Sequence, residues 1–174
     1  MGAEKTSLAS AAKEPTANPA VVLLVEDEAV VRQITGQVLE NAGYRVLESS
    51  SPDEALHVAS RHQGKVDLLL TDVVMPGMNG IDLAYKLRDL QPDLVTVFMS
   101  GYAEDDLTRK MTATAAIHIQ KPFTVNFLLS RIAEALETRA RHGLDRAAIA
   151  RSEHAAAAEL HVPSVRRAPD WGLG

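Results

Sequence analysis

Four short apolar runs of the sequence are each followed at once by side chains that can take part in acid–base or phosphoryl chemistry. Glu26 and Asp27 follow the first run, and Asp72, Ser100 and Lys121 follow three later ones. If these runs are parallel strands of one sheet, their carboxyl ends share an edge, which is where ligands bind in open α/β folds. The sequence therefore predicts that the five residues converge on one crevice.

The charges expected at this crevice favour a divalent cation. Glu26, Asp27 and Asp72 contribute −3 and Lys121 returns +1, so a +2 ion would bring the crevice to neutrality. Two carboxylates ~4 Å apart repel by roughly 1 kcal/mol in water and about 4 kcal/mol at an intermediate dielectric. Because the predicted ligands are hard oxygens without His or Cys, they select Mg²⁺ or Mn²⁺ over Zn²⁺.

Asp72 differs from the other carboxylates in the segment that follows it. Residues 73–80 contain one proline and two glycines, as expected of a loop that wraps around a reacting centre and presents backbone groups to it. A carboxylate nucleophile at this place would form an acyl phosphate. Lys121 and the metal would offset charge on the phosphoryl oxygens, and Ser100 could donate its hydroxyl to one of them.

The strands and helices that must position these residues can be predicted from the pattern of apolar residues along the chain. Five apolar runs alternate with helical periodicity, which predicts βαβ units and a parallel sheet. The first, third and fourth runs are nearly all apolar, as in strands covered on both faces, whereas the second and fifth carry polar residues that suit sheet edges. The resulting order, 2-1-3-4-5, is that of the flavodoxin-like α/β fold. The expected strands are Val21–Val25, Tyr44–Glu48, Val66–Thr71, Leu94–Met99 and Ile117–Gln120.

Between and after these runs, apolar residues recur at helical spacing. The first such row is Val30, Val31, Ile34, Val38 and Leu39. Comparable rows occur around residues 55–59 and 83–90, and the last one lies around residues 125–136. Rows of this kind are typical of amphipathic helices.

The two ends of the 174-residue chain differ from its centre. Residues 1–20 show no periodicity and are predicted to be a disordered leader. Residues 139–174 are Ala-rich and are predicted to form a weakly helical or disordered tail. The central domain, residues 21–138, has 10 basic and 17 acidic side chains, hence a charge of −7. That sign argues against a nucleic-acid surface.

Composition excludes several further classes of protein. The sequence has no Cys, so it has no disulfide framework and no thiolate metal site. No apolar run approaches the roughly 18–20 residues that cross a bilayer, and no secretory signal is recognisable. We therefore expect a cytoplasmic protein with neither a membrane nor a nucleic acid as partner.

With these motifs in place, the chain resembles the receiver domain of two-component response regulators. The segments VVLLVEDE, LLLTDVVMPGMNG, FMSGYAE and IQKPF occur in the family's order, and the resemblance covers about residues 20–138. Four separated motifs in register are a far more specific signal than one short pattern. The sequences of these motifs are most similar to those of receivers associated with hybrid sensor histidine kinases.

The resemblance implies a role for each site residue. Asp72 is the phosphoacceptor, charged from a phosphohistidine on a histidine kinase or a histidine phosphotransfer protein. Asp27 ligates Mg²⁺ directly, Glu26 does so mostly through water, and the backbone carbonyl of Val74 completes the protein ligands. Lys121 contacts the phosphoryl group, next to a Lys121–Pro122 bond that is usually cis in the family.

The resemblance also implies a switch. Ser100 swings toward the phosphoryl group and draws with it an edge-strand residue, which is usually aromatic and here is His118. His118 can equally be a solvated or packed side chain, and both interpretations stay open. Leu107–Ala116 offers few large apolar anchors, so the family does not identify the downstream partner of this chain.

The leading hypothesis is thus a phospho-accepting receiver in a two-component phosphorelay, a signalling switch and not an enzyme. One rival is a Mg²⁺-dependent aspartyl-phosphate phosphatase, but that chemistry typically wants a second acid where Val74 stands. Another rival is a receiver-like binding module that no longer takes phosphate.

Overall fold

The computed structural model describes residues 19–62, 65–101 and 117–141. The predicted leader and tail lie almost entirely outside these residues, as does Leu107–Ala116, so what was expected of them stays a prediction. Among the described helices, none combines the length and the apolar character that crossing a bilayer requires. The elements are β1 (Val21–Val25), α1 (Ala29–Asn41), β2 (Arg45–Ser49), α2 (Pro52–Arg61), β3 (Leu68–Asp72), α3 (Gly80–Leu90), β4 (Val95–Ser100), β5 (Ile117–Gln120) and α4 (residues 125–141).

The strands form one parallel sheet in the order β2-β1-β3-β4-β5, which confirms the predicted order and fold class. The bounds of β1 and β5 are those predicted, whereas the bounds of β2, β3 and β4 differ from the predicted ones by one or two residues. The shift that matters is at β3, because Asp72 is its last residue and pairs with Met99 of β4. The carboxylate therefore starts from backbone that is fixed by the sheet.

The sheet is covered on both faces. On one face α2 and α3 contribute buried side chains such as Ala55 and Leu83. On the other face α1 and α4 contribute Leu39, Leu128 and Ile132. Since β1 and β3 are buried almost throughout, the sheet interior is apolar and polar chemistry is displaced to the strand ends.

Helix α1 is confirmed, but only part of its apolar row is buried. Val30 and Ile34 are 63% and 61% exposed, whereas the helix buries Thr35, Gly36 and Leu39. The small Gly36 lies against the carboxylate of Glu48 on β2, and a Cβ there would overlap that carboxylate. Helix α1 thus turns Thr35, Gly36 and Leu39 inward, with Gly36 beside the Glu48 side chain.

This rotation predicts unequal costs for truncating two aliphatic residues on different sides of α1. Leu39→Ala should lower the free energy of unfolding by about 2–5 kcal/mol, because Leu39 is fully buried. Ile34→Ala should change it by less than about 0.5 kcal/mol, because most of that side chain is in solvent. Urea unfolding of both variants measures the difference, and equal costs would show that α1 is rotated differently.

Candidate functional site

The strand ends bring the predicted acidic residues together at one edge of the sheet. Glu26 comes directly after β1, Asp72 ends β3, and Asp27 lies in the loop that leads to α1. One carboxylate oxygen from each of these three residues lies within 4.8 Å of the others. Glu26 and Asp72 are buried and Asp27 is exposed, so the group opens to solvent on one side.

Lys121, directly after β5, bridges two of these carboxylates. Its Nζ donates to Oε2 of Glu26 at 2.8 Å and to Oδ2 of Asp72 at 2.6 Å. The side chains of Glu26 and Asp72 are only 2% and 12% exposed, against 25% for Lys121. A single ammonium therefore links the ends of β1, β3 and β5 across the crevice. The Lys121–Pro122 bond is cis, as the resemblance implies.

Burial and ion pairing shift the pKa values of Glu26 and Lys121 in opposite directions. Burial raises the pKa of Glu26, and the hydrogen bond from Lys121 offsets only part of that rise. Burial also acts to lower the pKa of Lys121, but its hydrogen bonds to Asp72 and Glu26 outweigh this and raise the pKa above its usual value. Lys121 is consequently an ammonium at neutral pH.

The main chain around Asp72 is held closely. Asp72 Oδ1 accepts a 3.3 Å hydrogen bond from the backbone N–H of Val74, and the Thr71 hydroxyl donates to the main-chain oxygen of Asp72 at 2.9 Å. A Cβ at Gly80 would overlap that same main-chain oxygen, so only glycine allows this approach. Gly80 N–H donates to Val73 O at 2.9 Å and closes the loop between β3 and α3.

The loop itself is anchored by its own side chains. Val73 and Met75 are buried in the core beneath α2 and α3, while Val74 is exposed. Gly77 has a φ of 80°, which non-glycine residues rarely adopt. The following helix, α3, is capped by Asn79, whose side chain accepts from the N–H of Asp82 at 2.8 Å. Sheet, core and helix cap together hold the loop beside Asp72.

Ser100 and His118 meet on neighbouring strands. The buried Ser100 hydroxyl is hydrogen-bonded to Nε2 of His118, which is partly buried on β5. Burial lowers the pKa of His118, so the neutral imidazole is favoured in the folded protein. The structure thus brings together the two residues that the sequence pointed to as a switch pair.

With this geometry known, comparison with other proteins decides the family. The family model described as the response regulator receiver domain matches residues 22–133. The chain belongs to this family. The finding confirms the resemblance seen in the sequence and identifies residues 22–133 as a receiver domain of two-component systems, a signalling switch.

Two curated relatives and one solved structure illustrate the similarity. Sensor kinase CckA of Brucella abortus is 43% identical over 119 residues, which are 68% of this chain and 13% of that protein. Response regulator receiver protein CpdR of the same organism is 34% identical over 116 residues, 66% of this chain and 95% of that protein. A crystal structure of the receiver domain from hybrid histidine kinase CckA is 32% identical with a TM-score of 0.57, covering 67% of this chain and 99% of that one.

Several curated relatives are much longer than the matched region. The chain spans 13%, 32% and 49% of sensor kinase CckA, a cyclic di-GMP phosphodiesterase of Thermotoga maritima and the phosphate regulon regulator PhoB of Pseudomonas aeruginosa. The similarity to these proteins therefore concerns their receiver domains and not their other activities.

The donor set of this receiver fits a hard divalent cation. Glu26, Asp27 and Asp72 supply only carboxylate oxygens, which suit Mg²⁺. With Lys121 included, the four side chains carry −3 + 1 = −2 when ionised. For Val74 the observed contact is its N–H to Asp72, and the predicted role of its carbonyl as a ligand stays a prediction.

Thr71 and Arg32 were not singled out from the sequence, and Gly80 was expected only as one of the glycines of the loop after Asp72. Thr71 and Gly80 fix the main chain of Asp72, and Arg32 of α1 donates to the main-chain oxygen of Glu26. In the sequence, the hint that Gly80 has a special position is weak: it is a glycine at the start of a predicted helix. The sequence hint for Arg32 is that a cation near a helix N-terminus is unfavourable to the helix dipole, which suggests that it has another role.

Replacing Gly80 should disturb the site more than replacing another buried glycine. Gly80→Ala places a methyl group against backbone that cannot move aside, and should lower the free energy of unfolding by about 1–3 kcal/mol or more. In the control, Gly36→Ala, the methyl group meets only the end of the Glu48 side chain, which can rotate away. Urea unfolding compares the two, and a larger cost at Gly36 would contradict the close approach at Gly80.

The burial of His118 predicts a pH dependence of stability. Because the pKa of His118 is lowered on folding, the unfolded chain binds the proton first as the pH falls below 6.5. His118 therefore stabilises the fold fully above this pH, and the contribution is lost as the pH falls toward the folded pKa. The unfolding free energy of the wild type minus that of His118→Gln should be constant above about pH 7.5 and shrink below about pH 6.5. A difference that stays constant to pH 5.5 would contradict a lowered pKa.

Proposed function

We propose that Asp72 accepts a phosphoryl group from a phosphohistidine of a histidine kinase or histidine phosphotransfer protein. A carboxylate oxygen of Asp72 attacks phosphorus, and the P–O bond forms as the P–N bond to imidazole breaks. The electron pair of the broken bond stays on the imidazole nitrogen, and the product on this chain is an acyl phosphate. The altered receiver then binds a downstream protein with different affinity.

The observation that carries this proposal is the bridge made by Lys121. Its ammonium already lies 2.6 Å from Oδ2 of Asp72, so a cation is in place where phosphoryl charge would develop. The N–H of Val74 points to the other oxygen of the same carboxylate. Glu26, Asp27 and Asp72, with the carbonyl of Val74, would hold Mg²⁺, which when bound offsets the charge of the phosphoryl oxygens.

The Ser100–His118 hydrogen bond supports a switch. In the unphosphorylated receiver the Ser100 hydroxyl is engaged by Nε2 of His118. A phosphoryl oxygen on Asp72 would compete for that hydroxyl, because a hydrogen bond to a charged acceptor is stronger than one to a neutral imidazole. Loss of the bond would release His118 on the edge strand β5 and change the surface presented to a partner.

The proposed phosphodonors agree with the family and with the similarity to the receiver of a hybrid histidine kinase. The downstream protein and the cytoplasmic location both stay predictions.

Phosphorylation by a small donor tests the proposal. The protein incubated with Mg²⁺ and acetyl phosphate should gain one phosphoryl group, seen as a mass increase that is stable in acid and lost in base. Asp72→Asn should abolish the adduct, because the amide is not a nucleophile. Asp89→Asn, which changes an exposed carboxylate of α3, is the matched control and should label like the wild type.

Three results would overturn the proposal. They are absence of the adduct from the wild type, full labelling of Asp72→Asn, and labelling that does not depend on a divalent cation. Rapid loss of the adduct with continuous release of inorganic phosphate would instead favour the phosphatase, whereas a stable adduct favours the switch.

A further inference from the structure

The loop that carries Glu26 and Asp27 has no side-chain cap at the helix that follows it. Glu28, at the N-cap of α1, makes no side-chain hydrogen bond to the helix. By contrast, Ser51 caps α2 and Asn79 caps α3 through hydrogen bonds to backbone N–H groups. The acidic loop must therefore be held by something other than an N-cap.

Arg32 supplies one such contact. Its Nη1 donates to the main-chain oxygen of Glu26 at 2.7 Å and lies 3.5 Å from that of Asp27. The N–H of Glu26 in turn donates to Ser49 O at 3.2 Å, at the end of β2. The peptide groups on both sides of Glu26 are thus fixed, one by the sheet and one by the guanidinium.

Glu48 on β2 lies beside the guanidinium as a loose ion pair. Its Oε2 lies 3.9 Å from Nε of Arg32, while its Oε1 lies over Gly36, one helical turn after Arg32 on the same face of α1. The Arg32 side chain is only 19% exposed, so it is confined between α1, β2 and the acidic loop. Gly36 leaves the space that Glu48 needs.

We infer that Arg32 is a positioning residue for the divalent-cation site, held in place by Glu48 across Gly36. The inference rests on the proposed function, because the cation is the Mg²⁺ proposed there. Arg32 would act through the main chain of Glu26 and Asp27, by limiting where their carboxylates can point. It would not touch the cation itself.

Charge and positioning make opposite predictions, which allows a clear test. By its charge alone Arg32 disfavours a dication nearby, so removing that charge would tighten Mg²⁺ binding. If Arg32 positions the loop, removing it weakens binding instead. Loss of partners that orient metal ligands typically costs about 10- to 100-fold in affinity.

The experiment is a calorimetric titration of the unphosphorylated full chain with Mg²⁺ alone, at pH 7 and below the unfolding temperature. Arg32→Gln should raise the Kd for Mg²⁺ about tenfold, near the lower end of the range for such partners. Arg32→Lys should recover part of the affinity, because an ammonium keeps a donor for the Glu26 carbonyl. Glu48→Gln should raise the Kd by a smaller factor, because the Glu48 side chain is 44% exposed and its ion pair with Arg32 is long.

The matched control removes a charge elsewhere. Lys65→Gln deletes a cation paired with Asp93 at the opposite end of β3, and should leave the Kd unchanged. Should Arg32→Gln fold poorly, Glu48→Gln and Gly36→Ala, which displaces the Glu48 carboxylate, test the same positioning. An unchanged or lower Kd in Arg32→Gln, or in both substitute variants, would overturn the inference while leaving the proposed function intact. Absence of Mg²⁺ binding by the wild type would overturn both.

Discussion

Two carboxylates buried beside one ammonium set the conditions for the rest of the site. Glu26 and Asp72 are almost removed from solvent, and an ion taken out of water costs several kcal/mol unless it is paired. Lys121 can neutralise only one of the two charges, and Asp27 adds a third at the rim. The crevice is therefore built with an excess of negative charge, and binding a cation there stabilises the folded state.

The sheet explains why this charge can be buried at all. β1 and β3 are inner strands whose two faces are both covered by the apolar core. Charged side chains of these strands can therefore lie only at the strand ends. Parallel pairing then puts all five carboxyl ends at one edge. Because Asp72 is still paired to β4, its carboxylate is presented from rigid backbone, as preorganised chemistry requires.

The same physics separates what could be predicted from sequence and what could not. Strand order followed from composition, since polar residues in β2 and β5 mark the sheet edges, and convergence of Asp72 and Lys121 followed from the order. The rotation of α1 did not follow, because the helical row at Val30 and Ile34 satisfies the periodicity equally well when it faces solvent. Contacts of Arg32 and Gly80 with main-chain oxygens depend on distances between elements, which no local pattern encodes.

The energetics of the proposed switch restrict how it can work. Moving a two-state equilibrium from 1:99 to 99:1 takes about 5.5 kcal/mol, whereas one neutral hydrogen bond such as Ser100–His118 contributes only about 0.5–1.5 kcal/mol. Replacing His118 by a phosphoryl oxygen as the partner of the Ser100 hydroxyl is thus too weak, on its own, to drive the change. A hydrogen bond to a charged group contributes about 1.5–3 kcal/mol. Lys121 and the Val74 N–H already donate to the Asp72 carboxylate, so phosphorylation gains only the difference between their bonds in the two states. The switch therefore needs further differences around Asp72 beyond the one at Ser100, and His118 reports the change instead of driving it.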